Sequence, residues 1–141
     1  MGMHTPADWL EAARAGTDGA ALHQLARSPY VFVRQALAAN PATVPGTLLE
    51  LTGTRDSPWN DNKLLLLLAE PPRADRAVLR GVLDAVAAML AEGERPYAAV
   101  LALADRPELT AAEVRRLGSL QGASARLRNG LERRLAFRTP P

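Results

Sequence analysis

The chain has 141 residues, 48% hydrophobic and 23% charged, with a formal net charge of +2, which is one globular domain able to bury a sizeable core. It has no cysteine, so disulfides, cysteine–zinc sites and thiol chemistry are excluded. Alanine (27) and leucine (23) dominate, valine is 8 and isoleucine is absent; an excess of good helix formers over β-branched residues reads as all-α.

In chain order, Thr5-Pro6-Ala7-Asp8 supplies an N-cap, a proline at the first helical position and an acid in the first turn, so a helix is predicted from there to Ala15, ending at Gly16. Asp18 caps a short second helix carrying Leu22 and Leu25. Ser28-Pro29 opens a third over Tyr30 to Ala39, stopped by Asn40-Pro41, and Ser57-Pro58 opens another. The latter holds Leu64 to Leu68, apolar on every side, as a helix covered by more than one neighbour would be. A long helix is predicted over about 73–92, where Val78, Leu79, Val82, Leu83, Val86 and Leu90 recur at helical spacing. Gly81 lies among them; it costs about 1 kcal/mol against alanine and suits close packing. Arg95-Pro96 opens the next helix, and Thr110 with Glu113 forms a capping box ahead of a helix ended by Gly118. The last, Ala123 to Arg138, carries Leu127, Leu131 and Leu135 as a narrow stripe. The total is eight or nine helices joined by short turns.

These helices repeat. Ala38-Ala39-Asn40-Pro41, Ala69-Glu70-Pro71-Pro72 and Ala104-Asp105-Arg106-Pro107 share an Ala-x-x-Pro pattern. Seven residues beyond each last proline stand Leu48, Leu79 and Val114, and ten beyond stand Leu51, Val82 and Leu117. The pattern describes three helix–turn–helix units over 28–120, with capping helices over 5–27 and 123–138, in one domain. Val33-Arg34-Gln35-Ala36-Leu37-Ala38-Ala39-Asn40-Pro41-Ala42-Thr43 of the first unit resembles the repeat of the leucine-rich repeat variant family, a relative of HEAT-like α-solenoids. The resemblance implies a short right-handed α-α superhelix and brings no catalytic residues. Some members carry cysteine-ligated iron–sulfur segments, which a chain without cysteine lacks.

Chemistry-bearing patterns are sparse. The histidines are His4, near the start, and His23, near Asp18 and Ser28, with no Gly-x-Ser-x-Gly elbow anywhere. Asp56-Ser57-Pro58-Trp59-Asn60-Asp61-Asn62 is dense in oxygen, but helix capping accounts for Asp56 and Ser57 without a metal. No phosphate-cradling loop exists, and Lys63 is the lone lysine. Glu92 and Glu94 flank Gly93 in a turn. A non-enzyme without cofactor or metal is therefore expected; a closed pocket holding His23 against Asp18 or Ser28 would argue otherwise.

Charge is uneven: residues 1–105 sum to −3 and residues 106–141 to +5. Registering the units on their prolines aligns Leu49 with Arg80 and Arg115, and Glu50 with Gly81 and Arg116, with Arg76 one turn before Arg80. Arg76, Arg80, Arg115 and Arg116 are thus candidate partner-binding residues, a basic ladder on second helices, or else pair with acids such as Asp84 and Glu113. Arg126, Arg128, Arg133, Arg134 and Arg138 spread around the last helix. The expected function is a non-catalytic protein-interaction module, with an unknown protein partner and self-association through an exposed end repeat. A nucleic-acid binder using the basic C-terminal face is the competing class. No charged-then-apolar leader opens the chain, Pro6 spoils a myristoylation motif, and the longest apolar run, Leu64 to Ala69, falls short of the ~20 residues of a membrane helix. A cytoplasmic protein is expected, and 16 arginines to one lysine suggest a GC-rich bacterial genome.

Overall fold

A computed structural model describes residues 5–138. Among these the chain is all-helical, with no strand: α1 (Pro6–Ala15), α2 (Gly19–Leu25), α3 (Val31–Ala39), α4 (Pro45–Leu51), α5 (Pro58–Ala69), α6 (Arg76–Ala91), α7 (Tyr97–Ala104), α8 (Ala111–Arg115), a 3-10 turn (Arg116–Ser119) and α9 (Ala125–Ala136).

Local chemistry sets most of the boundaries. Thr5 and Asp8, and again Thr110 and Glu113, form reciprocal capping boxes. Asp18, Ser57, Asp75 and Ser124 each accept a backbone N–H of the first turn of their helices. The long helix starts at Arg76, later than its apolar spacing suggests, because the Asp75 carboxylate caps Val78 N–H and Ala74 N–H closes a turn onto Pro71. The capping box at Thr110 starts only five residues of α-helix before the backbone tightens into the 3-10 turn. The oxygen-rich segment before and within α5 is likewise spent on structure. Asp61 is buried and accepts from Asp56 N–H at 2.7 Å, Asp56 accepts from Asn60 at 2.8 Å, and Asn62 accepts from Ala99 N–H on α7.

The odd-numbered helices pack in chain order, α1 on α3, α3 on α5, α5 on α7 and α7 on α9, while α4 meets α6 alongside them. The repeated apolar pairs all face this interior: Leu48, Leu51, Leu79, Val82 and Val114 are fully buried and Leu117 is 2% exposed. Each such leucine contributes about 2 kcal/mol by leaving water. On α5, Leu64, Leu65 and Leu68 are buried and Leu66 and Leu67 half-buried, since α3, α6 and α7 all touch that helix. Gly81 lets α6 approach α4: a Cβ there would lie 2.8 Å from Thr52 Oγ1 and 3.0 Å from Leu49 Cδ1.

A polar series joins successive units. Helix ends leave carbonyls without intrahelical donors, and here the following unit supplies them. Asn40 donates to the carbonyls of Ala13 and Gly16 at 2.9 and 2.8 Å. Arg73 donates to Ala38, Asn40 and Thr43; Arg106 donates to Ala69, Pro71 and Ala74; Arg138 donates to Ala104, Arg106 and Leu109. Each arginine therefore takes three carbonyls in the same relative spacing, at the C-terminal end of the odd-numbered helix before it. The first carbonyl is in every case the alanine of an Ala-x-x-Pro pattern. A planar guanidinium with five donors fits this task, and its charge suits the negative end of a helix dipole.

Candidate functional site

The four arginines of the expected ladder divide into two places. Arg76 and Arg80, one turn apart on α6, both reach Glu113 on α8: Arg76 Nη2 lies 3.2 Å and Arg80 Nη1 2.9 Å from Glu113 Oε2. Arg76 also donates to the carbonyl of Glu108. Glu113 already serves its capping box, accepting Thr110 N–H at 2.8 Å. The Thr110 N–H, then Arg76, hold its carboxyl well below the ordinary 4.5, at about 2. Arg115 turns the other way, toward α9, and pairs with Glu132 at 2.7 Å, which raises the Arg115 pKa further. Arg116 is exposed, and no side-chain partner for it exists among the described residues.

Arg80, Glu113 and Arg116 surround a groove of about 460 Å³ between α6 and the α8 segment. Its floor is apolar, with Leu83, Ala87, Leu117 and Leu120, and Asp84 lies on its rim. The Arg76–Glu113–Arg80 bridge spans from α6 to α8 beside it. Such a groove can take an apolar side chain with a polar group beside it. The one hydroxyl on its lining, Ser119, donates to the Arg116 carbonyl at 2.8 Å.

His23 finds neither Asp18 nor Ser28. Its Nδ1 is 2.6 Å from Thr47 Oγ1 and its Nε2 is 3.0 Å from Glu50 Oε2, both on α4. A carboxylate only accepts, so in the neutral ring Nε2–H donates to Glu50 and Nδ1 accepts the Thr47 hydroxyl. The order hydroxyl, imidazole, carboxylate is that of a nucleophile relay, yet Thr47 is fully buried and no substrate atom can reach its oxygen. Arg27 adds a second contact to Glu50 at 3.2 Å. The trio clamps α2 onto α4. His4 lies outside the described residues. No group of three or more His, Asp or Glu side chains among the described residues could hold a metal.

Of the eight basic residues over 106–141, five are engaged. Arg106 and Arg138 cap carbonyls, Arg128 donates to Gly118 and Ala123, Arg115 pairs with Glu132, and Arg134 pairs with Asp105. Sequence reading did not single out Arg73, Arg106 and Arg138 as a set. The signal was present, since Asn40, Arg73, Arg106 and Arg138 follow one another at 33, 33 and 32 residues, but registering on proline hid it. In comparison with known proteins, no family model matches the chain, and no curated protein or solved structure matches it significantly. No helix among the described residues is long and apolar enough to cross a membrane.

Proposed function

We propose that the chain is a non-catalytic protein-interaction module, a short α-solenoid of HEAT-like or leucine-rich-repeat-variant units that holds its partner on the second-helix face. The groove between α6 and α8 carries this reading, because an apolar floor with a charged rim is the make-up of a protein contact. The stacking of first helices in chain order and the even spacing of the arginine caps support the solenoid. The partner presents an apolar side chain to Ala87 and Leu120, the half-buried apolar residues of the groove, and a carboxylate to Arg116, the rim cation without an acid of its own.

The nucleic-acid reading needs a cluster of arginines free to meet phosphates. Against it stands the engagement of most C-terminal arginines by backbone carbonyls and carboxylates.

The test places a photo-crosslinking side chain at Ala87, in the groove, and at Lys63, exposed on α5, and pairs each with Arg116→Glu. A protein captured from position 87 only, and lost with Arg116→Glu, is the expected result. Binding of labelled nucleic acid that falls steeply with salt, with no protein captured at 87, would replace this reading by the nucleic-acid one.

A further inference from the structure

We infer that the two ends of the molecule are complementary, so that a second copy of this chain docks its α9 end into the groove between α1 and α2, head to tail. Each internal odd-numbered helix is covered on both sides by its neighbours. Among the described residues no element covers the outward side of the first pair, and there lies a groove of about 710 Å³. Its walls are apolar, with Trp9, Ala12, Ala15, Leu22 and Leu25. Its ionisable lining residues are Asp8, Glu11 and Asp18; Asp8 closes the Thr5 capping box, while exposed Glu11 pairs with exposed Arg14 and Asp18 accepts Ala20 N–H at the groove rim.

The opposite end is its counterpart in charge. On α9, Leu127, Leu131 and Leu135 face inward and are buried, while Arg128, Glu132 and Arg134 reach sideways to Gly118, Arg115 and Asp105. At 100° per residue, Arg126, Asn129 and Arg133 fall on the outward side. All three are exposed, and the guanidinium groups of Arg126 and Arg133 meet no partner among the described residues. Phe137, just past the helix end, is 86% exposed, the highest value among the exposed large hydrophobics. A face with two free arginines and a projecting aromatic ring suits an apolar groove rimmed by the exposed carboxylates of Glu11 and Asp18. The arginine stems can lie along Trp9 and Ala12 while their heads meet the carboxylates. Because the two patches are different surfaces, the contact is heterologous and adds copies in an open series, without closing as a two-fold dimer. The α6–α8 groove plays no part in it.

The experiment is sedimentation velocity of the full chain across a concentration series at low and high salt. The expected mass rises continuously with concentration, without a stop at two copies, and falls with salt. Glu11→Arg and Arg133→Glu are each expected to shift association to roughly tenfold higher concentration, and the double variant to restore it. Ala12→Arg blocks the groove and Phe137→Asp blocks the other end; each alone is expected to stay monomeric, and their mixture to stop at two copies. All four sites are exposed, and circular dichroism confirms that the variants keep their helices. A monomer throughout the series overturns the proposal, as does a dimer that ignores Arg133→Glu.

Discussion

Arg106 Nη1 lies 2.9 Å from the carbonyl oxygen of Ala69, 37 residues earlier, and caps the end of a helix in the preceding unit. The same guanidinium holds Pro71 and Ala74, and Glu108 grips it from outside through Nε and Nη2 at 3.2 and 2.8 Å. That contact with Arg106 lowers the Glu108 pKa from its ordinary value. The side chain is only 11% exposed. Water therefore has little room to replace the guanidinium if it is removed.

Arg106→Ala is expected to cost on the order of 3 kcal/mol in urea denaturation, since three carbonyls lose a charged donor together. Arg106→Lys should recover only a minor part, because a single ammonium cannot span three acceptors set around a planar fork. Full recovery by lysine would show that charge at the helix end, and not the fork, is what matters.

Arg34 should behave in the opposite way. It is 8% exposed, donates to the Ser28 carbonyl at 3.1 Å, and its Nε has no partner. A buried cation without an anion loses hydration for little return. Arg34→Met, of similar shape, is expected to leave stability within about 1 kcal/mol of the parent or to raise it. The same denaturation series measures both arginines, and a large loss at Arg34 would mean that its single carbonyl contact outweighs burial.

Glu113 ties acid stability to the bridge between α6 and α8. Its carboxyl sits at about 2 in the folded chain against an ordinary 4.5. Between those values the unfolded chain binds the proton more readily, so the Glu113 contribution is whole above about 4.5 and is lost as pH falls toward about 2. The measurement is the urea midpoint against pH for the parent and Glu113→Gln. The gap between the two curves is expected to narrow through that window; a constant gap would show that the bridge does not sense protonation.

Gly81 reports the spacing between α4 and α6. A leucine in its place must push against Thr52, whose hydroxyl donates to the Leu49 carbonyl at 2.6 Å. Gly81→Leu is expected to destabilise by about 1–3 kcal/mol despite better helix propensity. If thermal unfolding instead shifts upward, the two helices have room to separate and propensity decides.

Which parts of this were legible in the residues follows from how local the cause was. Capping at Thr5, Asp18, Ser57 and Thr110 involves side chains within three residues of the N–H they satisfy, and each stands where the letters placed it. The buried stripes followed from helical period alone. The candidate arginines were harder. Aligning Arg80 with Arg115 by repeat position gave no account of α8 being a single short turn followed by a 3-10 segment, and that geometry sends Arg115 toward Glu132 while Arg80 stays with Glu113. His23 was weighed against neighbours five residues away, whereas its partners are 24 and 27 positions on, across a helix packing contact.

By itself the order of residues determined the helical content, the starts of most helices and the faces turned inward, because propensity, capping and apolar period act over one or two turns. Tertiary structure alone decided the fate of the charges. An arginine reaches several ångströms from its backbone, so whether it meets a carboxylate, a helix-end carbonyl or solvent depends on which helix the fold lays beside it. Thus Arg73, Arg106 and Arg138 became caps on the preceding unit and Arg76 and Arg80 became a bridge. Arg126 and Arg133 were left facing outward at the end of the stack, where no further helix among the described residues comes to meet them.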